Sequence, residues 1–163
     1  MSAAVVVFAV GNPSRGDDAI GPLLCGRLAR WLENEGLAGG FELIEDFQLQ
    51  IEHALDLQGR ELALFIDAGT GTPAPCTFRR ITPATGIAHS THALPPEAVL
   101  HVFRQTEGGK PPPAFVLCVR GEEFGLGEPL TAVAAAHADA AWALLQSLCR
   151  EATAAAWMRL AGR

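Results

Sequence analysis

Residues Ala3 to Val10 read AAVVVFAV, an unbroken apolar run that ends at Gly11. A run this short and this rich in β-branched residues reads as a strand. With no polar residue at alternate positions, it must be covered on both faces. Such a strand belongs in a sheet with helices packed on each side, so this run constrains the fold class more than any other feature. Phe41 to Phe47 (FELIEDF), Glu61 to Ala68 (ELALFIDA) and Ala114 to Val119 (AFVLCV) are further strand candidates, and Cys76 to Ile81, flanked by prolines, reads as an edge strand.

Helical patterns fall between the strands. Ile20, Leu23, Leu24, Leu28, Trp31 and Leu32 recur at three- and four-residue spacing, the stripe of an amphipathic helix. Asp17 or Asp18 can cap it, Pro22 suits its first turn, and Gly36 and Gly39-Gly40 end it. Ile51 to Leu57 makes a short helix, and His92 to Gln105 a longer one with Leu94, Val99, Leu100 and Phe103 as its apolar positions. Thr131 to Cys149 is a long Ala/Leu-rich helix, with Val133, His137, Ala140, Ala141, Leu144 and Leu145 as its expected stripe. The tail, Arg150 to Arg163, either extends that helix or frays, and its Trp157, Met158 and Leu160 either pack or serve a partner. The expected architecture is α/β: a central, mostly parallel five-stranded sheet with helices on both faces, in a single domain spanning residues 1–163.

Composition narrows the function classes. At 49% hydrophobic and 18% charged residues, the chain is not disordered. Lys and Arg number 12 against 18 Asp and Glu, a net charge of −6 that argues against nucleic acid and anionic membranes as partners. The four cysteines, Cys25, Cys76, Cys118 and Cys149, form no C-x-x-C pair, which excludes a zinc ribbon and leaves small buried hydrophobes as the plain reading. No basic segment precedes the first apolar run, and that run is too short for a signal peptide or a membrane span, so a cytoplasmic protein is expected.

In an open parallel sheet, ligands bind beyond the carboxyl ends of the strands. Asn12 and the pair Asp17-Asp18 follow the first strand, Glu45 and Asp46 end the second, and Asp67 ends the third. These carboxylates are expected to converge on one rim, which calls for a cation, a proton or exposure to water. The Gly11–Gly16 loop is not a phosphate loop: Pro13 breaks G-x-G-x-x-G, and Asp17-Asp18 stands where Lys-Ser/Thr would follow. Two readings stand for Asp17 and Asp18, a helix cap and a cation site. Two also stand for Asp67 at its Gly69 turn: a capped turn, or a carboxylate facing a cleft.

Of the five histidines, His53, His101 and His137 sit in helical patterns and read as core or boundary residues. His89 and His92, in Ala88-His89-Ser90-Thr91-His92-Ala93-Leu94, either serve a cation or flank a Ser90/Thr91 helix cap. Two carboxylates and an imidazole suit a divalent transition metal. G-x-S-x-G is absent, so a hydrolase built on these residues would be metal-assisted.

Three segments in order, Gly11-Asn12-Pro13-Ser14-Arg15-Gly16-Asp17-Asp18-Ala19-Ile20-Gly21, Phe65-Ile66-Asp67-Ala68 and Ser90-Thr91-His92-Ala93-Leu94, resemble the hydrogenase maturation endopeptidases. The resemblance runs through roughly residues 4–150. It implies a three-layer α/β sandwich and removal of a short C-terminal extension from a nickel–iron hydrogenase large-subunit precursor after nickel insertion. It implies Asp18, Asp67 and His92 as the catalytic, metal-contacting residues. It also implies that nickel arrives on the substrate's cysteines, with no metal in the resting enzyme. The partner it implies is the large-subunit precursor, and the chain is expected to be a monomer.

The chain departs from the family at four points. Asp18 stands where Glu is frequent, Glu45 and Asp46 stand where one Asp ends the second strand, Phe47-Gln48-Leu49-Gln50 replaces a Gly-rich turn, and His89 is extra. In the implied mechanism, substrate nickel acts as a Lewis acid or activates a water beside the scissile carbonyl. Two rivals are a non-cleaving nickel-sensing maturation chaperone and a magnesium-dependent phosphohydrolase. A requirement for His92 would count against magnesium, which prefers all-oxygen shells.

Overall fold

A computed structural model describes residues 3–85 and 94–162. Among these residues five strands form one sheet: β1 (Val5–Val10), β2 (Phe41–Asp46), β3 (Leu62–Gly69), β4 (Cys76–Ile81) and β5 (Ala114–Arg120). Their spatial order is β2-β1-β3-β5-β4. All pairings are parallel except β4 with β5, which is antiparallel and puts β4 at an edge as its prolines require. Among the described residues, four α-helices accompany them: α1 (Ile20–Asn34), α2 (Pro96–Glu107), α3 (Ala132–Arg150) and α4 (Ala154–Ala161).

Alternation along the strands builds two cores, one on each face. Val5, Val7, Leu62, Leu64, Ile66, Phe115 and Leu117 pack with α1, α3 and α4. Val6, Phe8, Ala63, Phe65 and Val116 pack with α2 and the 3₁₀ helix Ile51–Leu57. Every residue of β1 is buried, as its uninterrupted apolar run demands. The result is the three-layer α/β sandwich.

Four expectations need correction. Neither Asp17 nor Asp18 caps α1: they lie in a 3₁₀ turn, Gly16–Ala19, and the N-cap of α1 is Ala19. The helix expected from His92 starts, within the described residues, at Pro96, because Pro95 is extended and a proline at the first helical position starts a helix well. Helix α3 buries Ala134, Ala138, Ala141, Trp142, Leu145, Leu148 and Cys149, while Val133 is exposed. Its alanine-rich start offers no periodic contrast, and Trp142 sets the phase.

The fourth correction concerns the tail, which neither extends α3 nor frays. Thr153 accepts a hydrogen bond from the Ala156 N–H at 3.1 Å and starts α4 as a separate helix. Trp157 is then fully buried against Phe78 and Phe115, with its Nε1–H donating to the Leu148 carbonyl at 2.9 Å. No described helix is long and apolar enough to cross a membrane.

Candidate active site

The chain runs from β1 to β2 on one side, then returns past β1 to β3 on the other. The carboxyl ends of β1 and β3 therefore flank a topological switch point, where the connecting loops part and leave a crevice. A cavity of about 770 Å³ opens there, lined by Asn12, Arg15, Asp18, Phe47, Gln48, Asp67, Thr70 and Phe124 among others.

The loop after β1 is shaped by backbone contacts. Gly11 has φ +151°, and a Cβ there would strike the Asp18 carbonyl oxygen, so the return of the loop onto its own start requires glycine. The Asn12 N–H donates to Asp18 Oδ2 at 2.7 Å, and the Asn12 side-chain oxygen accepts from the Ser14 N–H at 2.9 Å. This brings Asp18 back over the end of β1. Asp67, the sixth residue of β3, has its Oδ1 bonded to the Ala68 N–H at 2.8 Å. Burial pushes the Asp67 carboxyl up to about 7; the Ala68 N–H opposes that rise and the nearby Asp18 charge adds to it.

The two neighbouring aspartates of the Gly16-Asp17-Asp18 motif have opposite destinations. Asp18 lines the cavity, whereas Asp17 is fully buried behind it. Asp17 Oδ2 accepts from the Glu122 N–H at 2.7 Å, the Glu123 N–H at 3.0 Å and the Thr131 hydroxyl at 2.9 Å, and Oδ1 accepts from the Thr131 N–H at 2.8 Å. Burial would raise its pKa, but these hydrogen bonds together outweigh burial and hold the carboxyl below its ordinary value. Asp17 thus ties the segment after β5 to the loop after β1, and that segment supplies Phe124 to the cavity.

The expected convergence holds for two of the three strand ends. Asp18 and Asp67 meet in the cavity, but Asp46 turns to His53 and Glu45 is exposed. His89 and His92 lie outside the described residues. Among the described residues no group of three His, Cys, Asp or Glu side chains stands together to hold a metal. His137 is a boundary residue, its Nδ1 3.2 Å from the Arg120 carbonyl. His53 is buried as expected, but it does have an acidic companion, Asp46.

The cysteines offer no activated nucleophile. Cys25 and Cys149 are buried, Cys76 and Cys118 are partly buried, all are free, and burial raises every one of the four thiols. Arg15, Thr70 and Phe124 join the cavity without having been anticipated. Thr70 could have been found by its place directly after β3. Phe124 carries only a weak signal, its position in the glycine-containing segment after β5.

The fold is the one that the maturation endopeptidases of nickel–iron hydrogenases adopt. The [NiFe] hydrogenase maturation protease HycI from Thermococcus kodakarensis KOD1 superposes with a TM-score of 0.67 at 22% identity, covering 91% of this chain and 94% of that one. The hydrogenase maturating endopeptidase HybD from E. coli gives 0.66 at 21% identity, over 91% and 93% of the two chains. A hydrogenase 2 maturation peptidase from a Thaumarchaeota archaeon gives 0.60 at 19% identity, over 88% and 96%. At these identities the likeness is one of fold. No family model and no curated protein matches the chain.

Proposed function

We propose that this chain is an endopeptidase that removes the C-terminal extension of a nickel–iron hydrogenase large-subunit precursor and recognises nickel already held by that substrate. The observation that carries the reading is the meeting of Asp18 and Asp67, from two of the three resembling segments, in one cavity at the switch point. The shared fold supports it. Each carboxylate has one oxygen bonded to a backbone N–H and, among the described residues, one without a protein donor. Such half-held carboxylates suit a cation that brings most of its own ligands. His92 is the third residue of the proposed set, and imidazole with carboxylate suits nickel.

The chemistry follows from these groups. The substrate's nickel polarises the scissile carbonyl or lowers the pKa of a bound water. Asp18 and Asp67 orient that ion, and Asp67, with a carboxyl at about 7, can exchange a proton near neutrality. A macromolecular substrate also suits the segment just after β2, where Phe47 at the cavity is 62% exposed and Ile51 and Leu55 beyond it are 57% and 60% exposed. The four free thiols suit a reducing compartment, and action as a cytoplasmic monomer is part of the proposal.

The test is intact mass of a cognate precursor after incubation, nickel-loaded and nickel-free in parallel. Loss of a C-terminal fragment from the loaded sample alone is expected. Equal cleavage of both samples would remove nickel recognition from the reading. A stable nickel-dependent complex without cleavage would replace the endopeptidase with a chaperone.

A further inference from the structure

The turn that follows β2 is fastened at both ends by two side chains. At its start, Asp46 Oδ1 accepts from the Phe47 N–H at 2.7 Å, and the Asp46 carbonyl accepts from the Gly11 N–H at 3.0 Å. At its end, His53 Nδ1 accepts from the Gln50 N–H at 2.8 Å, while the His53 N–H donates to the Gln50 carbonyl at 3.0 Å. The two fasteners meet, with His53 Nε2 3.4 Å from Asp46 Oδ2.

The geometry also fixes the tautomer. A backbone N–H only donates, so Nδ1 carries no proton and the ring proton sits on Nε2, facing the Asp46 carboxylate. The ring is 7% exposed and stands edge-on to Phe8, with centroids 5.7 Å apart. A buried imidazole with one nitrogen on a turn amide and the other facing the strand-end carboxylate is held from three sides. The turn it closes contributes Phe47 and Gln48 to the cavity.

We propose that His53 is a positioning residue: bridging Gln50 and Asp46, it fixes the turn Phe47–Gln50 so that Phe47 and Gln48 form a rigid wall against which the substrate polypeptide is held. The wall stands on the hydrogen bonds alone; its use by a polypeptide rests on the endopeptidase reading above.

Two variants test it, His53→Ala, which removes both contacts, and His53→Asn, whose side-chain oxygen can stand in for Nδ1 toward the Gln50 N–H. In the purified protein, amide exchange at Gln50 should quicken about ten-fold in His53→Ala, the loss expected for one net hydrogen bond, and return toward wild type in His53→Asn. With nickel-loaded precursor, KM should rise about ten-fold in His53→Ala with kcat within about two-fold, and the asparagine variant should recover most of that loss. Unchanged exchange at Gln50 in a folded His53→Ala protein would overturn the clamp. Quickened exchange with unchanged KM would overturn the wall's role in holding substrate. If the wild-type protein cleaves no precursor, the endopeptidase reading fails, and the exchange experiment still decides the clamp.

Discussion

Replacing Asp67 with asparagine separates what the folded protein loses by burying a carboxylate from what the site gains by having one. The Asp67 carboxyl is raised from an ordinary value of 3.8 to about 7, with burial the leading cause. The folded state therefore keeps this group protonated where the unfolded chain has already ionised it. Below about pH 4 both states hold the proton and the raised pKa brings no penalty. As pH climbs toward 7 the unfolded state is increasingly favoured by its free carboxylate, and above about 7 the penalty is complete. At about 1.4 kcal/mol per pH unit, that penalty is on the order of 4 kcal/mol.

Asparagine keeps an oxygen for the Ala68 N–H that bonds Asp67 now, at 2.8 Å, and it carries no charge at any pH. The variant should match wild type in urea melts near pH 4 and exceed it by up to about 4 kcal/mol near pH 8, in chelator to keep cations out. The same variant should lose precursor processing. A stability difference that stays flat across pH would refute the claim that Asp67 is held protonated by its surroundings.

Asp17→Ala should destabilise the fold by about 3–5 kcal/mol in urea melts, because three backbone N–H groups and the Thr131 hydroxyl lose one buried acceptor together. Since the Asp17 pKa is lowered, its contribution is present above about pH 4 and fades as pH falls through the folded value, so wild type should lose this advantage over the variant on acidification. Asp18→Asn keeps an oxygen for the Asn12 N–H, and should abolish processing in the precursor mass assay while shifting stability by less than about 1 kcal/mol. Trp157→Ala should cost about 3–5 kcal/mol by denaturant titration, since the side chain is fully buried beneath β4 and β5.

The strands were legible in the sequence because burial on both faces leaves a mark that needs no partner to interpret. Val5–Val10, Leu62–Gly69 and Ala114–Arg120 are apolar throughout most of their length, and each lies between two other strands. The prolines around Cys76–Ile81 likewise mark an edge without any knowledge of the neighbour. Phase in α3 was not legible, since alanine fits either face of a helix and contrast comes only from the few large side chains. The independence of α4 depends on Thr153 as a cap and on a Trp157 pocket made by distant strands, and the second of these is invisible in the local sequence.

Asp17 and Asp18 show where a motif stops being informative. In sequence they are two equal carboxylates ahead of a helix, and a helix cap needs only one of them. In the fold the turn Gly16–Ala19 points them apart, one to the crevice and one to the amides of the segment after β5. What separates them is the supply of donors among the described residues: Asp17 meets three backbone N–H groups and a hydroxyl, Asp18 one N–H. A saturated carboxylate is a structural anion with little capacity for a ligand, whereas an unsaturated one keeps an oxygen free for a cation or a proton. The donors come from residues more than a hundred positions away, so no local spacing rule could have assigned the roles. The same argument separates Asp46, engaged by His53 and the Phe47 N–H, from Asp67. Of the carboxylates at this rim, Asp18 and Asp67 are the two that line the cavity, and they are therefore the two that the proposed chemistry would use.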